Sequence, residues 1–167
     1  MKNLILIIPI ILFGFSCNPT NIRDGEALEH DLEFIYVDSA GNDLLYSSNE
    51  FHYNKQEIKL YYQNGDQLEE PYYKDASAPK GFLINCSDSL HKCSLDLDAS
   101  LYLDSENASI TYLKLSDTDT DTIKCKYKGG LDYSYQYLIA AWYNGKLLFG
   151  DSVLIPDKKL FTIVKSQ

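Results

Sequence analysis

Hydrophobic and polar residues alternate along most of the chain beyond residue 30, which is the two-residue period of a β-strand with one buried face. The clearest case is DTIKCKYK, in which Ile123, Cys125 and Tyr127 alternate with threonine and lysine. The same period predicts further strands at about 31 to 38 and in the segments QEIKLYYQ, GFLINC, CSLDL, SITYLKL, YSYQYLIAAWY, KLLFG and KLFTIVK. No segment shows the 3.6-residue period of an amphipathic helix. The pattern therefore predicts an all-β domain.

Turn signals separate these segments about every ten residues. Asn64-Gly65 and Asn144-Gly145 are pairs that favour a type I′ β-hairpin, since both residue types tolerate positive φ angles. The segment from Asp38 to Asp43 is also rich in turn residues. Short strands at this spacing predict an antiparallel β-sandwich of the immunoglobulin kind, with a small β-barrel as the alternative. We expect residues 31–167 to form this single domain.

The chain begins with Met1 and Lys2, and an uncharged and mostly apolar run follows from Leu4 to Phe15. A membrane-spanning helix needs roughly 20 apolar residues, so this run is too short to span a bilayer. A positive start, a short apolar core and small residues at its end are typical of a secretory signal peptide. We therefore expect residues 1–16 to be a signal peptide and the protein to be exported.

Cys17 directly follows this segment and is the predicted site of lipidation. Bacterial lipoproteins carry a small residue before a cysteine whose thiol is acylated, and Ser16 fits that position, although Gly14 stands where an aliphatic residue is usual. Gly14, Phe15 and Ser16 also satisfy the small-x-small rule of ordinary signal cleavage at the same bond. Both routes stay open, and we favour lipidation because a cysteine at this position is otherwise a coincidence. Residues 17–30 then form a polar, flexible tether.

Three further cysteines lie in the predicted β domain. Cys86 and Cys93 flank a predicted turn between two strands, so they are the candidate disulfide pair. Cys125 is then an inert buried thiol. The alternatives are that all three are reduced and buried, or that a free Cys17 allows all four cysteines to pair. No C-x-x-C pair or histidine cluster supports zinc, so no metal site is predicted.

The formal net charge of −9 narrows the range of partners. Nucleic-acid binding needs basic side chains to neutralise phosphates, so this balance argues against nucleic acid as a partner. An acidic surface also adsorbs poorly to anionic lipid. Contact with membrane lipid would therefore depend on the acyl chains at Cys17.

The acidic segment from Asp117 to Thr122, DTDTDT, is the strongest candidate for a metal-binding loop. Counted as an EF-hand, its sixth position is Thr122 instead of glycine, and its twelfth is Lys128 instead of glutamate. We interpret it as a solvated acidic loop that leads into a strand. The histidines are scattered, and neither a nucleophile elbow nor a Gly-rich phosphate loop is present. The sequence predicts no catalytic residue, no cofactor and no enzyme.

The chain contains 14 tyrosines, a number that suggests a carbohydrate-binding surface. Most of them stand in predicted strands, however, where aromatic residues fit a half-buried pleated face. We therefore expect core or cross-strand packing for most of them. For Trp142, the single tryptophan, we expect a core plug or a brace for the Asn144-Gly145 hairpin instead of a sugar platform.

Several phrases together resemble predicted lipoproteins of Bacteroides- and Prevotella-type bacteria, and they span most of the chain beyond Cys17. The phrases are GNDLL, EIKLYY followed by NG, YLKLSDTDTDTIKC and WYNGK. The resemblance implies a signal peptide, a lipidated Cys17 and a small β domain at the outer membrane, facing either the periplasm or the cell surface. It implies no catalytic residue.

Such bacteria also O-glycosylate exported proteins at Asp-Ser or Asp-Thr followed by an apolar or small residue. The resemblance therefore implies candidate modification sites, which are Ser39, Ser89, Thr122 and Ser152. Ser39 and Ser89 fall in predicted turns, where a hydroxyl is accessible. The other two stand near predicted strand starts and are weaker candidates.

Three functions fit these observations. The first is a lipid-anchored envelope protein with a non-enzymatic β domain for binding, adhesion or assembly, whose partner is an unknown protein or glycan. The second is a glycan-binding accessory lipoprotein, which requires exposed aromatic residues clustered in a groove. The third is a small hydrolase, which requires a polar pocket that gathers His52 or His91 with two acids. We rank them in that order.

Overall fold

The computed structural model describes residues 28–129, 136–150, 153–156 and 158–166. Within these ranges the chain forms eleven β-strands. They are β1 (Leu28–Glu29), β2 (Asp31–Val37), β3 (Lys59–Asn64), β4 (Gln67–Glu69), β5 (Phe82–Ser87), β6 (Lys92–Asp98), β7 (Ala108–Lys114), β8 (Thr120–Gly129), β9 (Gln136–Tyr143), β10 (Lys146–Phe149) and β11 (Leu160–Val164). A search of the described residues for an apolar helix long enough to cross a membrane found none.

The strands form two sheets, and this confirms the predicted β-sandwich. The larger sheet has the order β1-β9-β8-β7-β3-β4, with β10 also paired to β9, and the smaller has the order β11-β2-β6-β5. Over the described residues neither sheet closes on itself, so the barrel alternative is not adopted. Most neighbouring strands are antiparallel, but β1 runs parallel to β9 and β11 runs parallel to β2.

The predicted tether extends to residue 30, whereas the described β-structure already begins at Leu28. Leu28 and Glu29 pair with Gln136 and Tyr137 in the larger sheet. β2 follows after one residue but lies in the smaller sheet. The chain therefore passes from one layer of the sandwich to the other at His30.

The alternating segments pack as their period predicts. In β8, Ile123, Cys125 and Tyr127 are buried between the sheets while Lys124 and Lys126 face solvent. The core is completed by buried side chains from both layers, among them Leu32, Phe34, Tyr36, Leu60, Leu95, Leu97, Leu113 and Phe149. Each fully buried side chain of this kind contributes about 1.5–3 kcal/mol relative to exposure.

The two predicted asparagine–glycine hairpins differ in the structure. Asn144 and Gly145 have φ angles of 47° and 78°, both positive, as a type I′ turn requires. At the other hairpin, Asn64 is the last residue of β3 and pairs with Gln67, so Gly65 begins the two-residue turn. Only the glycine has a positive φ there, at 58°. The prediction of a type I′ turn centred on Asn64-Gly65 is therefore wrong, because the strand extends one residue further.

Candidate functional site

The residues singled out for modification fall in different parts of the chain. Cys17 and Ser152 fall outside the described residues. Ser39 and Ser89 are exposed in turns, whereas Thr122 is half-buried in β8, where its backbone N–H donates to Asn144 Oδ1 at 2.7 Å. The exposed hydroxyls are the more accessible acceptors, and glycosylation stays a prediction.

The cysteines of the β domain take two different roles in the structure. Cys86 on β5 stands opposite Cys93 on β6, and the two form a disulfide with an S–S distance of 2.13 Å. Cys125 is a free and fully buried thiol. Burial raises the pKa of this thiol to about 12, so it stays protonated and unreactive at neutral pH.

Many tyrosines are core residues, as expected, but not all. Tyr72, Tyr73 and Tyr102 are 74%, 47% and 42% exposed. Trp142 is only half-buried, and the Lys124 ammonium lies 5.9 Å from the centre of its ring. It pairs with Leu147 across the β9–β10 hairpin, so it braces that hairpin instead of plugging the core.

Exposed aromatic rings converge at one pocket, which we call the tyrosine pocket. It encloses about 270 Å³ and is lined by His30, Tyr62, Tyr73, Ala99, Leu101 and Tyr102. Tyr62 comes from β3, whereas Tyr73 and Tyr102 come from the segments after β4 and after β6. Strand pairing and loop packing thus bring together residues that are as many as 72 positions apart in sequence.

Hydrogen bonds hold the rings of Tyr62 and Tyr102 and the backbone of Tyr73 in place. Tyr62 Oη donates to the backbone carbonyl of Asp98 at 2.9 Å, and Tyr102 Oη donates to Glu69 Oε2 at 2.8 Å. The rings of Tyr62 and Tyr102 meet edge to face, with centroids 6.4 Å apart. Tyr73 is held through its backbone N–H, which donates to the carbonyl of Pro79 at 2.8 Å. The pocket walls are therefore positioned before any ligand arrives.

The pocket has an uncharged phenol among its lining residues and a carboxylate, Glu69, that is hydrogen-bonded to one of its tyrosines. Burial raises the pKa of Tyr62 well above its ordinary value, and the nearby Tyr73 raises it further, so this phenol is neutral at physiological pH. Hydrogen bonds from Asn64 and Tyr102 lower the pKa of Glu69, which therefore stays ionised. The pocket offers apolar ring surface beside an oriented carboxylate acceptor.

A second, more polar pocket shares Tyr102 with the first. It encloses about 350 Å³, and its polar lining includes Gln63, Asn64, Asp104 and Ser109. The Tyr112 hydroxyl donates to Gln63 Oε1 at 3.0 Å, which orients that amide. The two pockets offer a ligand an aromatic contact at Tyr102 with hydrogen-bonding groups close by.

A third pocket gathers His52 with two acidic residues, which is the arrangement that the hydrolase hypothesis requires. It encloses about 630 Å³, and its lining includes Glu50, His52, Asp119 and Lys165. His52 Nδ1 donates a hydrogen bond to the backbone carbonyl of Asn49 at 2.8 Å. Asp119 is already engaged, since its two oxygens accept from Tyr53 Oη at 2.5 Å and from Lys165 Nζ at 2.8 Å. Asp119 and Lys165 therefore form a structural ion pair.

Lys165 links the two sheets through a buried polar network. It follows β11 of the smaller sheet, and its ammonium contacts both carboxylate oxygens of Asp121, on β8 of the larger sheet, at 2.7 Å each. Tyr143 Oη also donates to Asp121 Oδ2, and Asn144 Nδ2 donates to Asp121 Oδ1 at 2.7 Å. Asp121 is 1% exposed. The interpretation of DTDTDT as wholly solvated is therefore wrong for this residue, which points inward because β8 begins at Thr120.

Only weak signals in the sequence point to the tyrosine pocket. Tyr72 and Tyr73 follow Pro71 and lie outside every predicted strand, and Tyr102 follows the end of β6. Aromatic residues outside strands lack the packing explanation that covers the others. That exception is a signal from which surface positions could have been inferred, although nothing in the sequence indicates that Tyr73 and Tyr102 meet.

Comparison with known proteins found no family model that matches the chain, and no curated protein or solved structure that matches it. The functional inference therefore depends on the residues themselves.

Proposed function

We propose that this chain is an exported, lipid-anchored protein of the cell envelope whose β-sandwich is a non-enzymatic binding domain for carbohydrate. The anchor is the acylated Cys17, and the ligand site is the tyrosine pocket. The observation that carries the binding proposal is the convergence of two half-exposed tyrosines, Tyr73 and Tyr102, on one preformed concave site.

Carbohydrate is the ligand class that this chemistry favours. Sugar rings present apolar C–H faces that pack on aromatic rings, and hydroxyls at their edges that donate to carboxylates and carbonyls. Tyr73 and Tyr102 supply the rings, and the carboxylate of Glu69 lies within hydrogen-bond distance of Tyr102. Rigid aromatic residues lose little side-chain freedom on binding. A protein or peptide partner is the second candidate, and it would use the same exposed tyrosines as anchors.

The binding proposal is tested by removing one ring at a time. We expect wild-type protein to bind oligosaccharides on a glycan array, and Tyr73→Ala and Tyr102→Ala each to weaken the best hit about tenfold by calorimetry, equivalent to about 1.4 kcal/mol. Tyr137→Ala is the matched control, because Tyr137 is 43% exposed but lies on β9, outside the pocket. No binding to any glycan, or equal affinity in all four proteins, would refute the assignment.

The anchor is tested by replacing its acceptor. We expect wild-type protein expressed in a Gram-negative host to enter the detergent phase of a Triton X-114 separation and to incorporate labelled palmitate. Cys17→Ala lacks the thiol that is acylated, so it should enter the aqueous phase without label. Asn18→Ala keeps the thiol and is the control. If Cys17→Ala partitions and labels like the wild type, Cys17 is not the anchor.

A further inference from the structure

Three potential metal ligands converge where the chain passes between the two sheets. They are His30 at the crossing, Asp31 at the start of β2 and Asp98 at the end of β6. One donor atom from each side chain lies within 4.8 Å of the others. His30 Nδ1 is 3.9 Å from Oδ1 of both aspartates. We call these residues the His30 cluster.

The two carboxylates of the cluster form an unfavourable cross-strand pair. Asp31 and Asp98 are direct partners in the antiparallel register of β2 and β6. Like charges at such positions repel one another. Among the described residues, no lysine or arginine lies within ion-pair distance of either carboxylate.

The imidazole beside this pair is also incompletely satisfied. His30 Nδ1 is buried and has no hydrogen-bond partner in the described part of the chain. Its backbone is held in place, since the carbonyl of His30 accepts the Ala99 N–H at 3.0 Å. Buried polar atoms without partners are uncommon and call for an explanation such as an ion. An unpartnered nitrogen beside two like charges is the arrangement that a bound cation would relieve.

We propose that the His30 cluster binds a divalent transition-metal ion of the zinc class through His30 Nδ1 and the carboxylates of Asp31 and Asp98. Zinc lies about 2.0–2.2 Å from imidazole nitrogen and carboxylate oxygen, so two donors on one ion are at most about 4.3 Å apart. The 3.9 Å separations from Nδ1 fall within that limit. The donor atoms of the cluster are within 4.8 Å of one another, slightly beyond that limit. The side chain of Asp31 is 80% exposed, so it has room to move closer to the other two donors.

The donor set selects among metals. Calcium and magnesium prefer six or more oxygen ligands, whereas an imidazole nitrogen with two carboxylates suits zinc and its neighbours in the transition series. Three protein donors leave a fourth position for water or for a ligand atom, as in open zinc sites. His30 also lines the tyrosine pocket, so the proposed ion lies beside the proposed carbohydrate site.

The experiment uses the metal alone and is independent of carbohydrate binding. The full-length chain, solubilised in detergent and stripped with chelator, is titrated with zinc chloride by isothermal calorimetry. We expect one equivalent to bind with a dissociation constant of 10 μM or tighter, and calcium at the same concentrations to give no saturable binding. His30→Ala should abolish zinc binding, and Asp31→Asn should weaken it at least tenfold.

Two further variants make the result specific. His52→Ala removes another histidine, outside the cluster, and should bind zinc like the wild type. Asp31→Asn replaces an exposed side chain, so this variant should melt within a few degrees of the wild type. It therefore distinguishes the loss of a metal-binding side chain from unfolding of the protein. The proposal is overturned if the wild type shows no saturable zinc binding, or if His30→Ala and Asp31→Asn bind as tightly as the wild type. Failure of the glycan experiments would leave this outcome unaffected.

Discussion

Replacing Lys165 with methionine is expected to lower the free energy of unfolding by about 3–5 kcal/mol, because it leaves a buried carboxylate without its counter-ion. Lys165 Nζ contacts both oxygens of Asp121 at 2.7 Å and Asp119 Oδ1 at 2.8 Å. Methionine keeps most of the apolar side-chain volume but supplies no charge. The change leaves two neighbouring carboxylates, one of them 1% exposed, to repel one another inside the sandwich.

The matched control for Lys165→Met is Lys158→Met. Lys158 also forms an ion pair, with Glu33 at 2.6 Å, but its side chain is 69% exposed. Exposed pairs contribute about 0–1 kcal/mol, so this variant should unfold close to the wild type. Urea unfolding followed by circular dichroism measures both. If the two methionine variants lose the same stability, the buried network does not hold the sheets together as described.

The sequence predicts which side chains of β8 face the core, but not the ion pair that Asp121 forms with Lys165. Alternation in β8 predicted which side chains face the core, because the side-chain period depends only on local backbone geometry. It could not predict that Asp121 meets Lys165, since Asp121 lies on β8 of the larger sheet, whereas Lys165 follows β11 of the smaller sheet and is 44 positions away. The charge of DTDTDT suggested solvent, but an inward position and a partner from the other sheet outweigh that composition.

For the candidate sites, too, the sequence shows the residue types but not which residues come together in space. The three tyrosines of the pocket can be recognised in the sequence as aromatic residues, and Tyr73 and Tyr102 lie outside the strands, where cross-strand packing does not account for them. Their convergence depends on how the segments after β4 and β6 fold back on the sheets, which no local pattern encodes. The sequence predicts His30 to be part of a tether, whereas the pairing of β1 with β9 places it at the crossing between the sheets.

Replacing Gly150 with alanine is expected to lower the free energy of unfolding by about 3 kcal/mol or more, since strain and overpacking each cost about 1–3 kcal/mol. Gly150 has a φ of +102°, and a Cβ there would lie 2.3 Å from Ala140 Cβ and 2.6 Å from Ala140 Cα. Ala140 belongs to β9 and is buried, so its backbone has little room to move. Gly150, which follows β10, can therefore pack this closely against β9 only because it has no side chain.

Gly41→Ala separates the clash from the backbone conformation. Gly41 also has a positive φ, +86°, but a Cβ there meets nothing within 4 Å. It should therefore cost only about 1–2 kcal/mol, which is the cost of a left-handed alanine. The difference between the two alanine variants in urea unfolding measures the contact of Gly150 with β9. Equal losses at Gly41 and Gly150 would mean that the segment after β10 adjusts freely, and the close packing described here would be wrong.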